Sequence, residues 1–355
     1  MFGVRFKDVC IEAYALNLPP NRVTSAELED RLAELYKRLN IPFGTLEKLS
    51  GIKSRYLWKS DVMPSEVATE AAQQALSQVD FPVEEIGALF SCSVTRDYFE
   101  PATASIIHRR LGIREDSLSM DISNACLGFS NGMITLAGMI DSGIVKAGLV
   151  VSGENISCII DSSIDYILKN HESFTREELL QLLPTFTLGS GAVAFVLCHS
   201  SLSKNGHRLL GSIARSASQH SELCEGNADY SVSQIASGID PIMRTDSHKL
   251  MASAAKLGNR AWKDASELLG WKREDIDHIF CHQVGRQVNN GFYQEMGLDI
   301  EKEFTVYQEL GNLVSAALPA AVIRGIEEKG IKKGDKILLT AFGSGLNAIF
   351  SGIQW

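Results

Sequence analysis

The sequence predicts an α/β protein made of two duplicated halves, because two pairs of segments are similar at nearly equal separations along the chain. The segment EEIGALF at 84–90 resembles EDIDHIF at 274–280, an offset of 190 residues. Further on, SGIVKAGLVV at 142–151 resembles KGIKKGDKILL at 329–339, an offset of 187 residues. Two anchors with nearly the same offset indicate internal repetition.

The strands of each half are apolar along their whole length, which is a third observation in favour of this fold class. Examples are AGLVVSG at 147–153 and DKILLTAFGSG at 335–345. Strands of this kind lie in sheets that are covered by helices on both faces. Each half is therefore expected to run helix, strand, functional loop, helix rich in small residues, glycine turn and second strand.

The predicted halves span residues 1–203 and 204–355. The joint falls near CHSSLSKNGHR, whose Ser, Asn and Gly residues suit a surface connection. Residues 157–186 have helical spacing and a helix start at Thr175, so they are predicted to form a helical cap inserted into the first half. Further amphipathic helices are predicted at 24–39 and 246–269.

Composition places the chain among globular proteins that act on small molecules. Of its 355 residues, 45% are hydrophobic and 22% are charged, which excludes disordered and fibrous classes. The formal net charge of −9, without a run of Lys or Arg, argues against nucleic acid or an anionic membrane as the main partner. The sequence contains no 18-residue apolar run and no signal peptide pattern, so no membrane span is predicted.

The seven cysteines are scattered and form no CxxC pair. Neither a disulfide framework nor a metal site is therefore predicted. Free thiols favour a reducing compartment, and the cytoplasm is the predicted location.

One of these cysteines lies where a thiol can act as a nucleophile. Cys126 follows a probable strand and heads a run of small residues, 127–140, that is expected to form a closely packed helix. A helix N-terminus lowers the pKa of a thiol and favours the reactive thiolate. The alternative is a buried cysteine that only fills space, as most free cysteines do.

A histidine and an asparagine in the second half complete a candidate catalytic set. His282, in IFCHQVGRQ, follows an apolar strand, and Asn312, in ELGNLVSAALP, precedes a small-residue run like the one after Cys126. By the two offsets, Asn312 lies beside the counterpart of Cys126, and His282 is the counterpart of Cys92. Taken singly, the His can be a hydrogen-bonded core residue and the Asn a helix cap.

Four motifs resemble those of a known family. SNACLGF, CHQVG, GNLVSAALP and the terminal AFGSGLN match, in order and spacing, the Cys, His, Asn and Gly-rich elements of the thiolase superfamily, in its β-ketoacyl synthase III branch. The resemblance covers essentially the whole chain. It implies a five-layered αβαβα fold, a homodimer, thioester substrates without a permanently bound cofactor, and a triad of Cys126, His282 and Asn312.

Another set of residues is similar to one branch of that superfamily, the long-chain acyl-CoA condensing enzymes of bacterial olefin biosynthesis. The segments SVTRDYFEPATASIIHRRLGI and SGIKSRYLW carry this resemblance. Ordinary synthase III enzymes have an apolar residue before the equivalent of Pro101, whereas this chain has Glu100. The resemblance implies that Glu100 reaches the acyl tunnel of the partner subunit and acts as a base. The alternative is a solvated loop carboxylate.

The chain departs from the synthase III pattern around the expected cofactor site. Gly285 replaces the Asn that usually lies three residues after the catalytic His, and Gln287 replaces a frequent Arg. The aromatic residue and the Arg that commonly clamp the CoA adenine are absent from TLEKLSGIKSR. CoA-contacting residues are therefore not predicted, although Arg55, Arg260 and Arg286 are available basic groups.

The predicted activity is an acyltransferase reaction that joins two fatty acyl-CoAs by a non-decarboxylative Claisen condensation. Cys126 takes the first acyl group, with the oxyanion held by the backbone N–H groups of Cys126 and Ser344. His282 and Asn312 stabilise the enolate of the second acyl-CoA after Glu100 has removed its α-proton. The product is a 2-alkyl-3-ketoacyl-CoA.

Two other functions stay open from the sequence alone. A decarboxylating 3-oxoacyl synthase III extends acyl-Cys126 with malonyl-acyl carrier protein and needs no strong base. An inactive relative binds acyl chains for a partner protein. The acyl chain length, the choice between CoA and acyl carrier protein, and the pathway are not predicted.

Overall fold

The computed structural model describes residues 2–226 and 242–355, in which strands alternate with helices. The strands of the first half are β1 (Phe2–Arg5), β2 (Val9–Asn17), β3 (Asn21–Thr24), β4 (Ser54–Leu57), β5 (Ile86–Ser91), β6 (Leu118–Asp121), β7 (Ala147–Glu154) and β8 (Gly191–His199). Its helices are α1 (Ser25–Asp30), α2 (Ala33–Arg38), α3 (Thr45–Ser50), α4 (Pro64–Leu76), α5 (Thr103–Leu111), α6 (Gly128–Asp141), α7 (Ser157–Lys169) and α8 (Arg176–Leu182). The described strands of the second half are β9 (Arg208–Ser216), β10 (Cys224–Gly226), β11 (Met243–Thr245), β12 (His278–Cys281), β13 (Lys336–Gly343) and β14 (Asn347–Gln354). Its described helices are α9 (Ser247–Leu269), α10 (Arg286–Met296), α11 (Tyr307–Leu310) and α12 (Ala317–Lys329).

The two halves contain sheets with the same strand order. In the first half the order is β6-β5-β7-β8-β2, and in the second it is β12-β13-β14-β9. Strands β5, β7, β8 and β2 thus correspond to β12, β13, β14 and β9, and corresponding pairs have the same parallel or antiparallel orientation. A single residue pair, Cys10 with Arg208, joins the two sheets at the β2 and β9 edges. The predicted duplication is confirmed.

The repeated sequence segments fall on equivalent elements. Short 3₁₀ turns at Val83–Glu85 and Arg273–Asp275 lead into β5 and β12. Gly143 and Gly330 follow the ends of α6 and α12 with left-handed φ angles of 75° and 62°. Glycine has no Cβ and adopts this conformation without a steric cost, so it ends both helices in the same way.

Three apolar clusters define five layers. Helices α6 and α12 lie between the two sheets, because Leu136 and Ile323 pack in one buried cluster with Phe90 of the first sheet and Leu339 of the second. Helices α4 and α5 cover the outer face of the first sheet, and α9 and α10 cover the outer face of the second. The layers run helix, sheet, helix, sheet, helix, which confirms the predicted αβαβα fold.

The segment at 157–186, predicted as a helical cap, contains α7, α8 and most of a 3₁₀ turn at Leu183–Thr187. The Glu178 N–H donates to the Thr175 hydroxyl, and the Thr175 N–H donates back to the Glu178 carboxylate, so the helix start is a capping box. A fourth apolar cluster, here called the cap cluster, joins α7 and α8 to α1 and α2. The helix predicted at 246–269 is α9.

Two features differ from the sequence predictions. The single helix predicted at 24–39 is wrong, since α1 and α2 are separate helices. The backbone of Leu32, at φ −111° and ψ 15°, leaves the helical region, and Leu28, Leu32 and Leu35 all pack into the cap cluster. Strand β1, from the first predicted half, pairs with β9 of the second. The division at residue 203, in the connection between β8 and β9, stays a prediction.

Two glycines of helix α6 test the packing of the central layer. A Cβ at Gly132 would lie 2.4 Å from the Cys92 sulfur and 2.9 Å from a methyl carbon of Val150, whereas a Cβ at Gly138 would meet nothing within 4 Å. Gly132→Ala is expected to lower the free energy of unfolding by about 2 kcal/mol through overpacking. Gly138→Ala, the matched control, is expected to raise it by about 0.5 kcal/mol through helix propensity. Urea unfolding measures both, and equal effects would contradict the packing described.

Candidate active site

The candidate nucleophile lies in a tight turn between β6 and α6. Cys126 follows Ala125, whose φ of 47° places a residue with a Cβ in the left-handed region. Such a conformation costs roughly 1 kcal/mol or more and is typical of functional sites. The N–H of Leu127 donates to the carbonyl of Asn124 at 3.0 Å and closes the turn. Because α6 begins at Gly128, Cys126 is held just before the helix.

The second half of the chain contacts this turn directly. A Cβ on Gly343 would lie 3.1 Å from the Leu127 nitrogen and 3.4 Å from the Cys126 nitrogen. The turn between β13 and β14 therefore lies against the backbone N–H of Cys126. The next residue of that turn is the partly buried Ser344. The two residues predicted to form the oxyanion hole thus belong to segments that touch.

The thiol of Cys126 has a raised pKa, so the predicted lowering by a helix terminus is wrong. Burial raises this pKa, with smaller contributions in the same direction from Cys224 and Glu154. The physical reason is the position of the thiol, which precedes α6 and packs against apolar side chains of the cap cluster. The resting group is a neutral thiol that requires a base to become a nucleophile.

His282 is nearly fully buried and immediately follows β12. Its backbone N–H donates to the carbonyl of Thr340 in β13 at 3.0 Å. Three residues further along β13, about 10 Å on a strand, Gly343 contacts the Cys126 turn. Burial lowers the pKa of His282 to about 4, so the imidazole is neutral at pH 7. Its Nδ1 atom has no hydrogen-bond partner within residues 2–226 and 242–355.

Asn312 is oriented by its own turn and by the end of the cap. Its side-chain oxygen accepts the N–H of Val314 at 2.9 Å, which leaves the amide NH₂ as the donor for another group. Its backbone N–H donates to Thr187, and its carbonyl accepts from Gly189, both at 2.9 Å. Val314 has a φ of 56° and mirrors Ala125 before the other central helix. Asn312 therefore stabilises a turn and still presents a donor.

Glu100 lies in the loop between β5 and α5, and its side chain is exposed. The two preceding residues, Tyr98 and Phe99, are 49% and 69% exposed. The apolar surroundings that a strong carboxylate base requires are therefore not supplied by its own subunit. The structure of one chain does not bring this residue into a buried site with Cys126.

Two buried polar residues at this site were not predicted. Glu154 ends β7 with no exposed surface. Gln283 follows His282, and its side-chain oxygen accepts the Val306 N–H at 2.9 Å, which links the His282 loop to the segment leading to Asn312. The available signal for both was a polar residue at or just beyond the end of an apolar strand.

Two departures from the synthase III pattern have structural causes. A Cβ on Gly285 would lie 2.8 Å from the carbonyl oxygen of Ser50, so only glycine allows α3 to approach the His282 loop this closely. Arg55 is fully buried and donates to a carbonyl of the cap at 2.7 Å, so it is not a surface cation. Arg286 is exposed at the start of α10.

The described part of the chain contains no helix that is long and apolar enough to cross a membrane. In the same residues, no group of three or more His, Cys, Asp or Glu side chains is placed to hold a metal ion. The seven cysteines are all free thiols.

The sequence matches a known family in both halves. Residues 120–218 match the family described as 3-oxoacyl-[acyl-carrier-protein (ACP)] synthase III, and residues 267–355 match its C-terminal region. Acyl-CoA:acyl-CoA alkyltransferases of Xanthomonas campestris and Shewanella oneidensis are each 36% identical over 99% of this chain, and over 99% and 100% of their own lengths. A beta-ketoacyl-[acyl-carrier-protein] synthase III of Neisseria gonorrhoeae is 26% identical over 92% of this chain and 93% of its own.

Solved structures share the architecture over nearly the whole chain. Cerulenin-bound OleA of Xanthomonas campestris has a TM-score of 0.92 and 36% identity, covering 99% of this chain and 98% of its own. A cysteine-to-serine variant of the same protein, with bound lauric acid and lauroyl-CoA, has a TM-score of 0.91 and 35% identity, covering 99% and 100%. The resemblance inferred from the sequence motifs is confirmed.

The buried His282 predicts a specific loss of stability in acid. Because folding lowers its pKa from 6.5 to about 4, the unfolded chain binds an extra proton between these values, and stability falls as the pH drops through this window. Between pH 7 and pH 5 the wild type is expected to lose about 2 kcal/mol more than His282→Asn.

Urea unfolding of both proteins at the two pH values measures this difference. His171→Asn, which removes an exposed histidine, is the matched control. An identical pH dependence in the wild type and His282→Asn would show that the ring is not buried as a neutral group.

Proposed function

The chain belongs to the 3-oxoacyl-[acyl-carrier-protein] synthase III family of the thiolase superfamily, and we propose that it condenses two fatty acyl-CoAs without decarboxylation. The observation that carries the proposal is 36% identity, over 99% of the chain, to relatives named acyl-CoA:acyl-CoA alkyltransferase. Identity to the Neisseria synthase III is lower, at 26%. The product is a 2-alkyl-3-ketoacyl-CoA, and one CoA is released.

In the first half-reaction, the sulfur of Cys126 attacks the carbonyl carbon of one acyl-CoA. The proton of the neutral thiol passes to His282, whose buried ring is uncharged and able to accept it. The oxyanion lies between the backbone N–H groups of Cys126 and Ser344, a placement supported by the contact of Gly343 with the Cys126 turn. The bond between the acyl carbon and the CoA sulfur breaks, and CoA leaves with the proton.

In the second half-reaction, the carbonyl of another acyl-CoA accepts hydrogen bonds from His282 and from the Asn312 amide. The bond from Val314 to the Asn312 oxygen supports this role, because it fixes which end of the amide donates. Glu100 removes the α-proton, and the resulting enolate carbon attacks the acyl-Cys126 carbonyl. The carbon–sulfur bond to Cys126 breaks, and the sulfur regains a proton.

An apolar surface beside Cys126 supports long-chain acyl groups as the substrate class. The Cys126 side chain packs against the cap cluster. Buried members of that cluster include Leu32, Leu35, Ile160, Phe186, Leu188 and Val314. Each CH₂ of an acyl chain buried on such a surface contributes about 0.8 kcal/mol, so affinity is expected to rise with chain length until the surface is filled.

A homodimer in which Glu100 serves the site of the partner subunit explains why this carboxylate is exposed in one chain. Strand β6 is the end strand of the first sheet, and such an edge is a template for pairing with a second copy. Large apolar side chains near this edge are exposed, with Leu118 at 45% and Phe99 at 69%. A second copy covering this surface places the Glu100 loop against the neighbouring subunit.

CoA is the proposed carrier of both acyl groups, and acyl carrier protein is the alternative. CoA acts as a substrate, with no cofactor held permanently. The exposed Arg286, four residues after His282, is the cation proposed to face the CoA phosphates. Since the reaction requires a reduced Cys126 thiol, a cytoplasmic location is proposed.

Incubation with myristoyl-CoA alone tests the function directly. The wild type is expected to release CoA, measured by thiol titration, and to form a condensed 2-alkyl-3-ketoacyl-CoA, identified by mass spectrometry. Activity that starts only after malonyl-acyl carrier protein is added would contradict the proposal and support the decarboxylating alternative. A chain that binds the acyl-CoA without releasing CoA would support the inactive relative.

Single substitutions separate the two half-reactions. Cys126→Ala is expected to release no CoA. Glu100→Gln is expected to release one CoA per active site in a burst and then to form condensed product about 100-fold more slowly, because the base is missing. Glu115→Gln, which changes another exposed carboxylate, is the control. Equal slowing of the burst and of condensation in Glu100→Gln would exclude its role as the α-proton base.

Mixed dimers test whether Glu100 acts across the subunit interface. Neither Cys126→Ala nor Glu100→Ala is expected to condense acyl-CoA at a useful rate alone. After the two variants are unfolded and refolded together, a heterodimer contains one site with an intact Cys126 and an intact Glu100 from its partner. Recovered condensation is the expected result, and no recovery in verified heterodimers would show that Glu100 acts within its own chain.

A further inference from the structure

We propose that Glu154 is a positioning residue for the second half-reaction, since its carboxylate ties the turn that carries Asn312 to the loop that leads to Glu100. The inference rests on the proposed function, because it assigns Asn312 and Glu100 to that step. Glu154 itself touches neither substrate nor the reacting carbon in this role.

The carboxylate of Glu154 accepts five hydrogen bonds from two separate segments. Oε1 accepts the Val94 N–H at 2.9 Å, the Ser315 hydroxyl at 2.5 Å and the Ser315 N–H at 3.4 Å. Oε2 accepts the Thr95 N–H at 3.1 Å and the Thr95 hydroxyl at 2.9 Å. The residue has no exposed surface. These bonds join the first half of the chain to the second at the candidate active site.

Each of the two segments leads directly to a residue of the second half-reaction. The side-chain oxygen of Asn312 accepts the N–H of Val314, and the next N–H along the chain, that of Ser315, donates to Glu154. The Ser315 hydroxyl also bonds to the Ser152 hydroxyl of β7 at 2.6 Å, which fixes the turn a second time. On the other side, Val94 and Thr95 begin the loop that carries Glu100.

The role requires a carboxylate and not only a side chain of the same shape. Three of the five donors to Glu154 are backbone N–H groups, which cannot reverse their polarity. Burial raises the pKa of Glu154, and its hydrogen bonds with Ser315, Val94 and Thr95 oppose that shift. An amide in its place points a donor NH₂ at other donors, and at least one segment is released from its position.

The first half-reaction uses neither of these segments. Cys126 and the turn containing Gly343 and Ser344 carry it, and none of the five donors to Glu154 belongs to them. The charge of Glu154 contributes to the raised pKa of the Cys126 thiol, so removing that charge favours the thiolate. Loss of the carboxylate is thus expected to slow condensation while acylation stays as fast or becomes faster.

The experiment compares the two half-reactions in Glu154→Gln, Glu154→Asp and Ser315→Ala. Rapid mixing with myristoyl-CoA measures the CoA burst of acylation, and steady-state product formation measures condensation. In Glu154→Gln the burst rate is expected to stay within about threefold of wild type or to rise, while kcat for condensation falls about 100-fold, as a displacement of roughly 1 Å produces. KM for acyl-CoA is expected to change little.

The other two variants separate charge from shape and keep the test valid if Glu154→Gln does not fold. Glu154→Asp keeps the charge with a shorter reach and is expected to recover part of the condensation rate. Ser315→Ala removes one donor at the Asn312 side and is expected to slow condensation without slowing the burst.

Two results overturn the inference in distinguishable ways. If the wild type condenses acyl-CoA but Glu154→Gln and Ser315→Ala slow the burst and condensation equally, or slow neither, the positioning role is wrong and the proposed function stands. If the wild type acylates Cys126 but never forms condensed product from acyl-CoA alone, the proposed function fails and this inference fails with it.

Discussion

The site depends on one close approach between the two halves, where the turn after β13 lies against the backbone of Cys126. The separation is so small that even a Cβ on Gly343 would lie 3.1 Å from the Leu127 nitrogen. Helices α6 and α12, packed side by side between the sheets, maintain this approach because each begins at one of the two functional turns. The nucleophile therefore comes from one half, and His282 and Asn312 from the other.

The buried groups of the site are arranged so that its resting state carries little charge. Burial raises the pKa of the Cys126 thiol and lowers that of His282, so both are neutral at pH 7. A buried thiolate–imidazolium pair would lose more hydration energy than a neutral thiol and imidazole do. The one fully buried carboxylate beside them, Glu154, is satisfied by five donors. Charge then develops only during the reaction, where fixed donors are able to meet it.

Sequence reasoning reached the duplicated fold because the offsets of 190 and 187 residues reflect whole repeated elements, which local similarity preserves. It did not reach the pKa of Cys126, because that depends on apolar side chains of the cap cluster that arrive from distant segments. The break between α1 and α2 was missed since the apolar spacing continues across Leu32. Glu154 and Gln283 were missed because their roles consist of hydrogen bonds to residues far along the chain.

The most direct test of the account is a crystal structure of Glu100→Gln soaked with myristoyl-CoA, a variant in which acyl-Cys126 is expected to accumulate. The account predicts an acyl carbonyl oxygen within about 3 Å of the backbone nitrogens of both Cys126 and Ser344. It also predicts that the His282 ring and the Asn312 amide lie together beside the thioester, free to bind a second carbonyl. An acyl oxygen bound by His282 or Asn312 instead, or a Ser344 nitrogen directed elsewhere, would contradict it.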